Sequence, residues 1–202
     1  MTSFLTTGGI RGGSEKLDKF QPRSFNMGLS KKAFEASKGF GKTWAEAFLA
    51  KGYKVAATAR NVETLNDLKE KYGKSVLTLK LDVDNRQESL QVVEKVHQHF
   101  GSIDILINNA SAINLTPTLA TPAKRFDLMF SVNVRATFLT SQAAIPHLKE
   151  SAAAGRNPHI LTMSPPLSMS AKWFKPHLAY TMAKYGMSMC VLGLAEEFKR
   201  DG

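Results

Sequence analysis

Four short apolar runs, separated by single helical patterns, constrain this chain more than any other feature. They are Tyr53 to Thr58 (YKVAAT), Val76 to Leu81, Ile103 to Ile107 (IDILI) and His159 to Met163 (HILTM). Runs this short and apolar read as buried strands. Between them Val62 to Tyr72 is charged and amphipathic, and Gly73 ends it. Gln87 to Phe100 places Leu90, Val93, Val96 and Phe100 at helical spacing before Gly101. A long helix is predicted from about Pro122 to Lys149, with Pro146 near its end. Ahead of the first run, Lys42 to Lys51 presents Trp44, Ala45 and Phe48 on one face and stops at Gly52. Strands joined by single crossover helices must run parallel, through right-handed connections, with both sheet faces covered. The fold class is therefore α/β, a doubly wound parallel sheet with helices on both faces. The chain's 202 residues suit one such domain.

Residues 1–35 break this regularity, with five glycines and no clear period. They read as an atypical, flexible N-terminal extension ahead of a domain at 36–202. The expected apolar first strand is missing just before residue 36, since Met27 to Ala33 (MGLSKKA) suits a central strand poorly. A rival reading has Ser3 to Gly9 (SFLTTGG) supply that strand, with residues 10–35 looping out.

Composition excludes several function classes. A single cysteine, Cys190, rules out an internal disulfide and suggests a reducing compartment, so a cytoplasmic location is expected. A mitochondrial or peroxisomal location is the alternative, because the first 33 residues carry six Lys/Arg against two acids. No run of about 18 apolar residues suggests a membrane span. The net charge of +10 is a real bias, but the basic residues are scattered, which argues against nucleic acid as a partner. A phosphorylated small molecule remains a fitting partner. No metal-ligand set is evident.

Two motifs carry chemistry. Ala36-Ser37-Lys38-Gly39-Phe40-Gly41-Lys42-Thr43 stands immediately before a helix, where glycines admit a phosphate and the helix terminus offers free N–H groups. As Ala-x-x-x-x-Gly-Lys-Thr it passes a relaxed P-loop pattern, with Lys42 on phosphate and Thr43 on magnesium. That reading needs an aspartate ending an apolar strand, and Asp82, with Lys80 two residues earlier, serves poorly. The second motif is Tyr180 and Lys184, four apart in a predicted helix from His177 onward, hence on one face. A phenol working near neutrality must lose roughly 3 pKa units, about 4 kcal/mol, and a neighbouring ammonium supplies part of it.

Together with Asn108-Asn109-Ala110-Ser111 at the end of the IDILI strand, these motifs resemble the short-chain dehydrogenase/reductase family over residues 36–202. Ser111 stands where the family carries glycine. Pro158 to Lys199 resembles the family's hydroxysteroid dehydrogenase-like branch. The resemblance implies a Rossmann-like fold and hydride transfer between a nicotinamide and a carbonyl or alcohol carbon. It implies catalytic roles for Asn133 (holding a relay water), Ser164 (binding the substrate oxygen), Tyr180 (general acid/base) and Lys184 (lowering the tyrosine pKa and binding ribose). It implies cofactor contacts from Ser37, Lys38, Gly39, Phe40, Gly41, Arg60, Asp82, Asn108, Asn109, Ala110 and Lys184. Ser164 stands further upstream of the tyrosine than the family's serine, and Ser168 is the alternative. Arg60 and Lys38 offer cations where an acid would select NAD, so NADP(H) is the expected cofactor. Met169, Trp173 and Phe174 either line an apolar, steroid- or lipid-like substrate pocket or pack their own loop. A homodimer through the two long helices is expected.

The Thr-Gly that opens the family's glycine loop is absent, Phe34-Glu35 standing there, and the chain stops just after the tyrosine helix. The domain thus reads as truncated after the helix carrying Tyr180. A non-catalytic domain that binds nucleotide or dimerises is the alternative function.

Overall fold

The computed structural model describes residues 3–6, 40–164 and 168–201. Five parallel strands form one sheet in the order β3-β2-β1-β4-β5. They are β1 (Ser3–Thr6), β2 (Lys54–Ala59), β3 (Val76–Lys80), β4 (Ile105–Asn108) and β5 (His159–Thr162). Each of the four predicted runs is a strand, shifted by one or two residues. Among the described residues six α-helices accompany them: α1 (Phe40–Ala50), α2 (Asn66–Tyr72), α3 (Arg86–Phe100), α4 (Ala123–Met129), α5 (Ala136–Ala153) and α6 (Leu178–Glu197).

The central strand is β1. Phe4 pairs in register with Val55 on one side and Ile105 on the other. Residues 3–6 are therefore part of the sheet, which corrects the reading of the whole N-terminal stretch as an extension. Two neighbouring strands need a partner between them for their backbone N–H and C=O groups, and these four residues provide it. Residues 7–39, with the remainder of that expectation, lie outside the described residues.

Strand residues alternate between two cores, as period-two geometry demands. Ala56 and Leu106 face Val92, Val93 and Val96 of α3 and Ala143, Ala144 and Leu148 of α5. Val55, Ala57 and Ile107 face Ala45, Phe48 and Leu49 of α1 and Leu68 of α2. The predicted helix over 62–72 opens with a 3₁₀ turn at Val62–Leu65, where the Asn61 side chain accepts from the Glu63 N–H. α3 is capped at both ends. Asn85 Oδ1 accepts from the Gln87 and Glu88 N–H groups, and Gly101 takes the left-handed conformation (φ 79°) at its end.

The long predicted helix is divided. Between α4 and α5, Phe130–Arg135 forms a π-helical turn, an irregularity that often marks a functional position. α6 packs against this turn, and at Gly186 the two come so close that a Cβ would lie 2.7 Å from Val134 Cγ2. No described helix is long and apolar enough to cross a membrane.

Gly186→Ala is expected to cost about 1–3 kcal/mol, because the added methyl meets Val134 in a packed core. Urea denaturation of G186A, V134A and the double variant tests this: the double variant should regain part of the loss.

Candidate active site

The sequence-predicted site residues within the described chain gather at the C-terminal edge of the sheet, where open α/β folds bind ligands. Arg60 follows β2, Asp82 follows β3, Asn109 to Ser111 follow β4, and Ser164 follows β5. Phe40 and Gly41 open α1, while Ser37, Lys38 and Gly39 lie outside the described residues.

Tyr180 and Lys184 occupy the first two turns of α6. Tyr180 packs with Met129, Ala179 and Ala183, beside Ala112, Phe126 and Phe130. Burial pushes its pKa above the ordinary tyrosine value, and the nearby Ser111 hydroxyl offsets part of that. Ser111 Oγ is itself buried and forms no hydrogen bond of ordinary geometry. Lys184 is 6% exposed. Its Nζ donates to the Met163 carbonyl and lies 3.2 Å from Met187 Sδ. Burial lowers its pKa to about 8. The expected lowering of the tyrosine pKa by this lysine is thus corrected: desolvation acts on both groups, and the ammonium is directed at a backbone carbonyl.

Asn133 is fully buried in the π-helical turn. Its Oδ1 accepts from the Ala112 N–H at 2.8 Å, and its Nδ2 donates to the Ala112 carbonyl at 2.9 Å. The side chain expected to hold a relay water is instead committed to clamping the segment after β4. Asn108 also departs from expectation. Its Nδ2 donates to Ser141 Oγ at 3.0 Å and, more weakly, to Thr162 Oγ1 at 3.5 Å, while its Oδ1 accepts from Thr140 at 2.7 Å. An amide so occupied ties β4 to α5 and β5, and its side chain serves the core. Asn109 is buried beside it.

Ser164 is exposed, and its backbone N–H donates to the Thr162 carbonyl at 3.0 Å. Ser168 is anchored through its backbone, which both donates to and accepts from the Tyr185 hydroxyl. Among the described residues, Ser111 places a hydroxyl beside Tyr180. Sequence reasoning noted Ser111 only as a replacement for glycine. Asp82 is exposed, and its Oδ1 accepts from the Asp84 N–H in the turn leading to α3. Arg60 is exposed and pairs with no described acid. Lys42, the cation of the P-loop reading, pairs with Asp67 of α2 and holds that carboxyl below its usual pKa. That ion pair would compete with a phosphate for the lysine, which counts against the P-loop alternative.

The family model for short chain dehydrogenases matches residues 35–202. The chain belongs to the short-chain dehydrogenase family. Hydroxysteroid dehydrogenase-like protein 2 of Rattus norvegicus is 49% identical over 174 aligned positions, covering 81% of this chain and 32% of that protein. The chain thus spans about a third of that relative's length. A short chain dehydrogenase from Mycobacterium thermoresistibile has a crystal structure 35% identical, with TM-score 0.75, covering 100% of this chain and 64% of that one. A serine dehydrogenase described in closed form with NADP+ is 26% identical, with TM-score 0.70, covering 79% and 62%. Membership makes this an oxidoreductase-family chain with a nicotinamide-binding fold.

Lys184 offers a direct electrostatic test. Its lowered pKa means the unfolded chain binds the extra proton between about pH 8 and 10.5, so stability rises with pH through that window. Lys184→Met is expected to be the more stable protein near pH 7, with a gap of up to about 3 kcal/mol. Urea midpoints at pH 7 and 10 should show that gap narrowing at the higher pH.

Proposed function

We propose that this chain carries the cofactor-binding and catalytic portion of an NADP(H)-dependent reductase acting on an apolar carbonyl or alcohol substrate. The observation that carries the reading is the pairing of Tyr180 and Lys184 at the mouth of the sheet. One of them is a phenol kept protonated near neutrality, the other a buried ammonium with donor capacity to spare. Among the described residues, Lys184 directs its three N–H donors at one good acceptor, the Met163 carbonyl, since a thioether accepts weakly. A ribose diol fits that unmet capacity. The bound nicotinamide would supply or accept the hydride. Tyr180 would donate the proton to the substrate oxygen, and a raised pKa keeps that proton in place at pH 7. Asn133 acts here as a positioning residue, holding Ala112 next to the tyrosine.

Two hydroxyls compete to steady the substrate oxygen: Ser164, from the family pattern, and Ser111, from its place beside Tyr180. Arg60 supports NADP(H), being exposed at the end of β2 with no described acid pairing it. Asp82, just after β3 and exposed, would be the residue to meet the adenine. Met169 and Trp173 are 79% and 54% exposed and suit an apolar substrate. Phe174 instead packs on Tyr185 at 5.2 Å and belongs to its own loop. Exposed Met182, Met189 and Leu192 on α6, with Leu128 of α4 and Phe138 of α5, support pairing with a second copy.

A non-catalytic nucleotide-binding role is the second reading, favoured by the exposed Ser164 hydroxyl and by Lys184 directed at Met163. NADPH binding measured by fluorescence, beside NADPH oxidation over a panel of ketones and aldehydes, separates the two. Tyr180→Phe should abolish oxidation while leaving binding within about threefold, because removing an acid acts on the chemical step. Binding without turnover in the unaltered chain would favour the second reading.

Arg60→Glu should reverse the cofactor preference, weakening NADPH by about tenfold or more while leaving NADH little changed, since it places a carboxylate against a 2′-phosphate. Tighter NADH than NADPH binding by the unaltered chain would sink the NADP(H) assignment.

A further inference from the structure

At the opposite end of the sheet from Tyr180, α3 and α5 present two matched pairs. Glu94 and His97 stand three residues apart on α3, and His147 and Glu150 three apart on α5, so each pair shares a helix face. The two imidazoles stack face to face across the helices, 4.2 Å between centroids and 28° between planes. Glu150 Oε2 lies 3.9 Å from His97 Nε2 and 3.7 Å from His147 Nδ1. Glu94 Oε2 lies 3.7 Å from His147 Nε2. These separations are too long for hydrogen bonds. His147 Nδ1, the atom facing Glu150, is buried without a hydrogen-bond partner.

The spacing is that of ligands around an ion rather than of directly bonded partners. One donor atom each from His97, His147 and Glu150 lies within 4.8 Å of the others. Around a tetrahedral zinc, bonds of about 2.0–2.1 Å put neighbouring donors about 3.3 Å apart. Turning one imidazole out of the stack would aim both in-plane lone pairs at a single ion, and Glu150, more than half exposed, is free to follow. We propose that His97 Nε2, His147 Nδ1 and Glu150 Oε2 bind a divalent transition metal of the zinc class, joining α3 to α5. Glu94 then faces the other nitrogen of the ligating His147 and orients its ring, the usual outer partner of a metal-bound histidine. Two imidazoles and a carboxylate select zinc-like ions over magnesium and calcium, which take oxygen ligands. Water from the solvent side completes the coordination. The metal has no part in the proposed hydride transfer; it fastens two helices that both cover the same sheet face.

Zinc chloride titrated into the full chain at pH 7.5, followed by calorimetry and by thermal unfolding, tests the assignment. One zinc per chain and a raised Tm are expected, with no response to magnesium or calcium. His97→Ala and Glu150→Gln should each weaken zinc binding at least about tenfold and remove the Tm increment, whereas Glu94→Gln should weaken it about tenfold with stoichiometry kept. Absence of zinc binding at about a hundred micromolar, or binding unchanged in His97→Ala, overturns the proposal. Neither outcome bears on cofactor binding or turnover.

Discussion

The contact between Gly186 of α6 and Val134 of the π-helical turn is the constraint on which the candidate site depends. A helix crossing at a distance that admits no Cβ carries its neighbours inward with it. Ala179 and Ala183, small and buried, continue the same close face, and Met129 fills the space beside them. Lys184 is thereby forced out of solvent and Tyr180 into partial burial. The π turn reciprocates, because its Asn133 amide grips the Ala112 backbone on both sides. One close helix contact thus fixes the tyrosine, the lysine, the asparagine and the segment after β4 relative to one another.

That geometry inverts the simplest electrostatic expectation. An ammonium four residues from a phenol should hold the phenolate down in pKa, and at about 4 Å and an effective dielectric near 20 the attraction is about 4 kcal/mol. Desolvation wins instead at both groups: Tyr180 rises and Lys184 falls to about 8. The reason is direction as much as distance, since the ammonium is engaged by the Met163 carbonyl. Among the described residues, the Met163 carbonyl and the weakly accepting Met187 sulfur are the groups that face Lys184 Nζ.

The architecture was legible where local chemistry and global fold agree. β4 and β5 combine an apolar run with a definite stop, and α3 has Asn85 and Gly101 at its ends. β1 was legible only as the rival reading of Ser3 to Gly9, because four residues carry a short pattern and a long stretch of sequence separates them from α1. The dipeptide Asn108-Asn109 announced the end of β4 but not the direction of its side chains. An amide after an apolar strand serves equally to bind a ligand or to knit a core, and at Asn108 the hydroxyls of Thr140 and Ser141 settle it for the core. Ser111 was hidden for the opposite reason: its hydroxyl matters only beside Tyr180, which is 69 residues away in sequence. The pairs Glu94–His97 and His147–Glu150 each look like ordinary helix-surface charges until α3 and α5 are laid side by side.

α5 acts as the rigid reference for the whole sheet because it is fixed at both ends. Near its start Thr140 and Ser141 bind Asn108, at the C-terminal edge of β4. Near its end Ser151 binds Asp104, just ahead of the same strand, and Arg156 approaches that carboxylate at 2.6 Å. Asp104 is 1% exposed, so losing its cation would leave a buried charge poorly compensated. The two polar anchors are spaced by the length of β4 and set the register of helix on strand, which apolar contacts alone fix loosely. With α5 held in this way, the adjoining π turn is also held, and α6 is placed against a surface that does not slide. The polar residues in the middle of this α/β core therefore serve the candidate site at a distance, by making the platform under Tyr180 and Lys184 stiff.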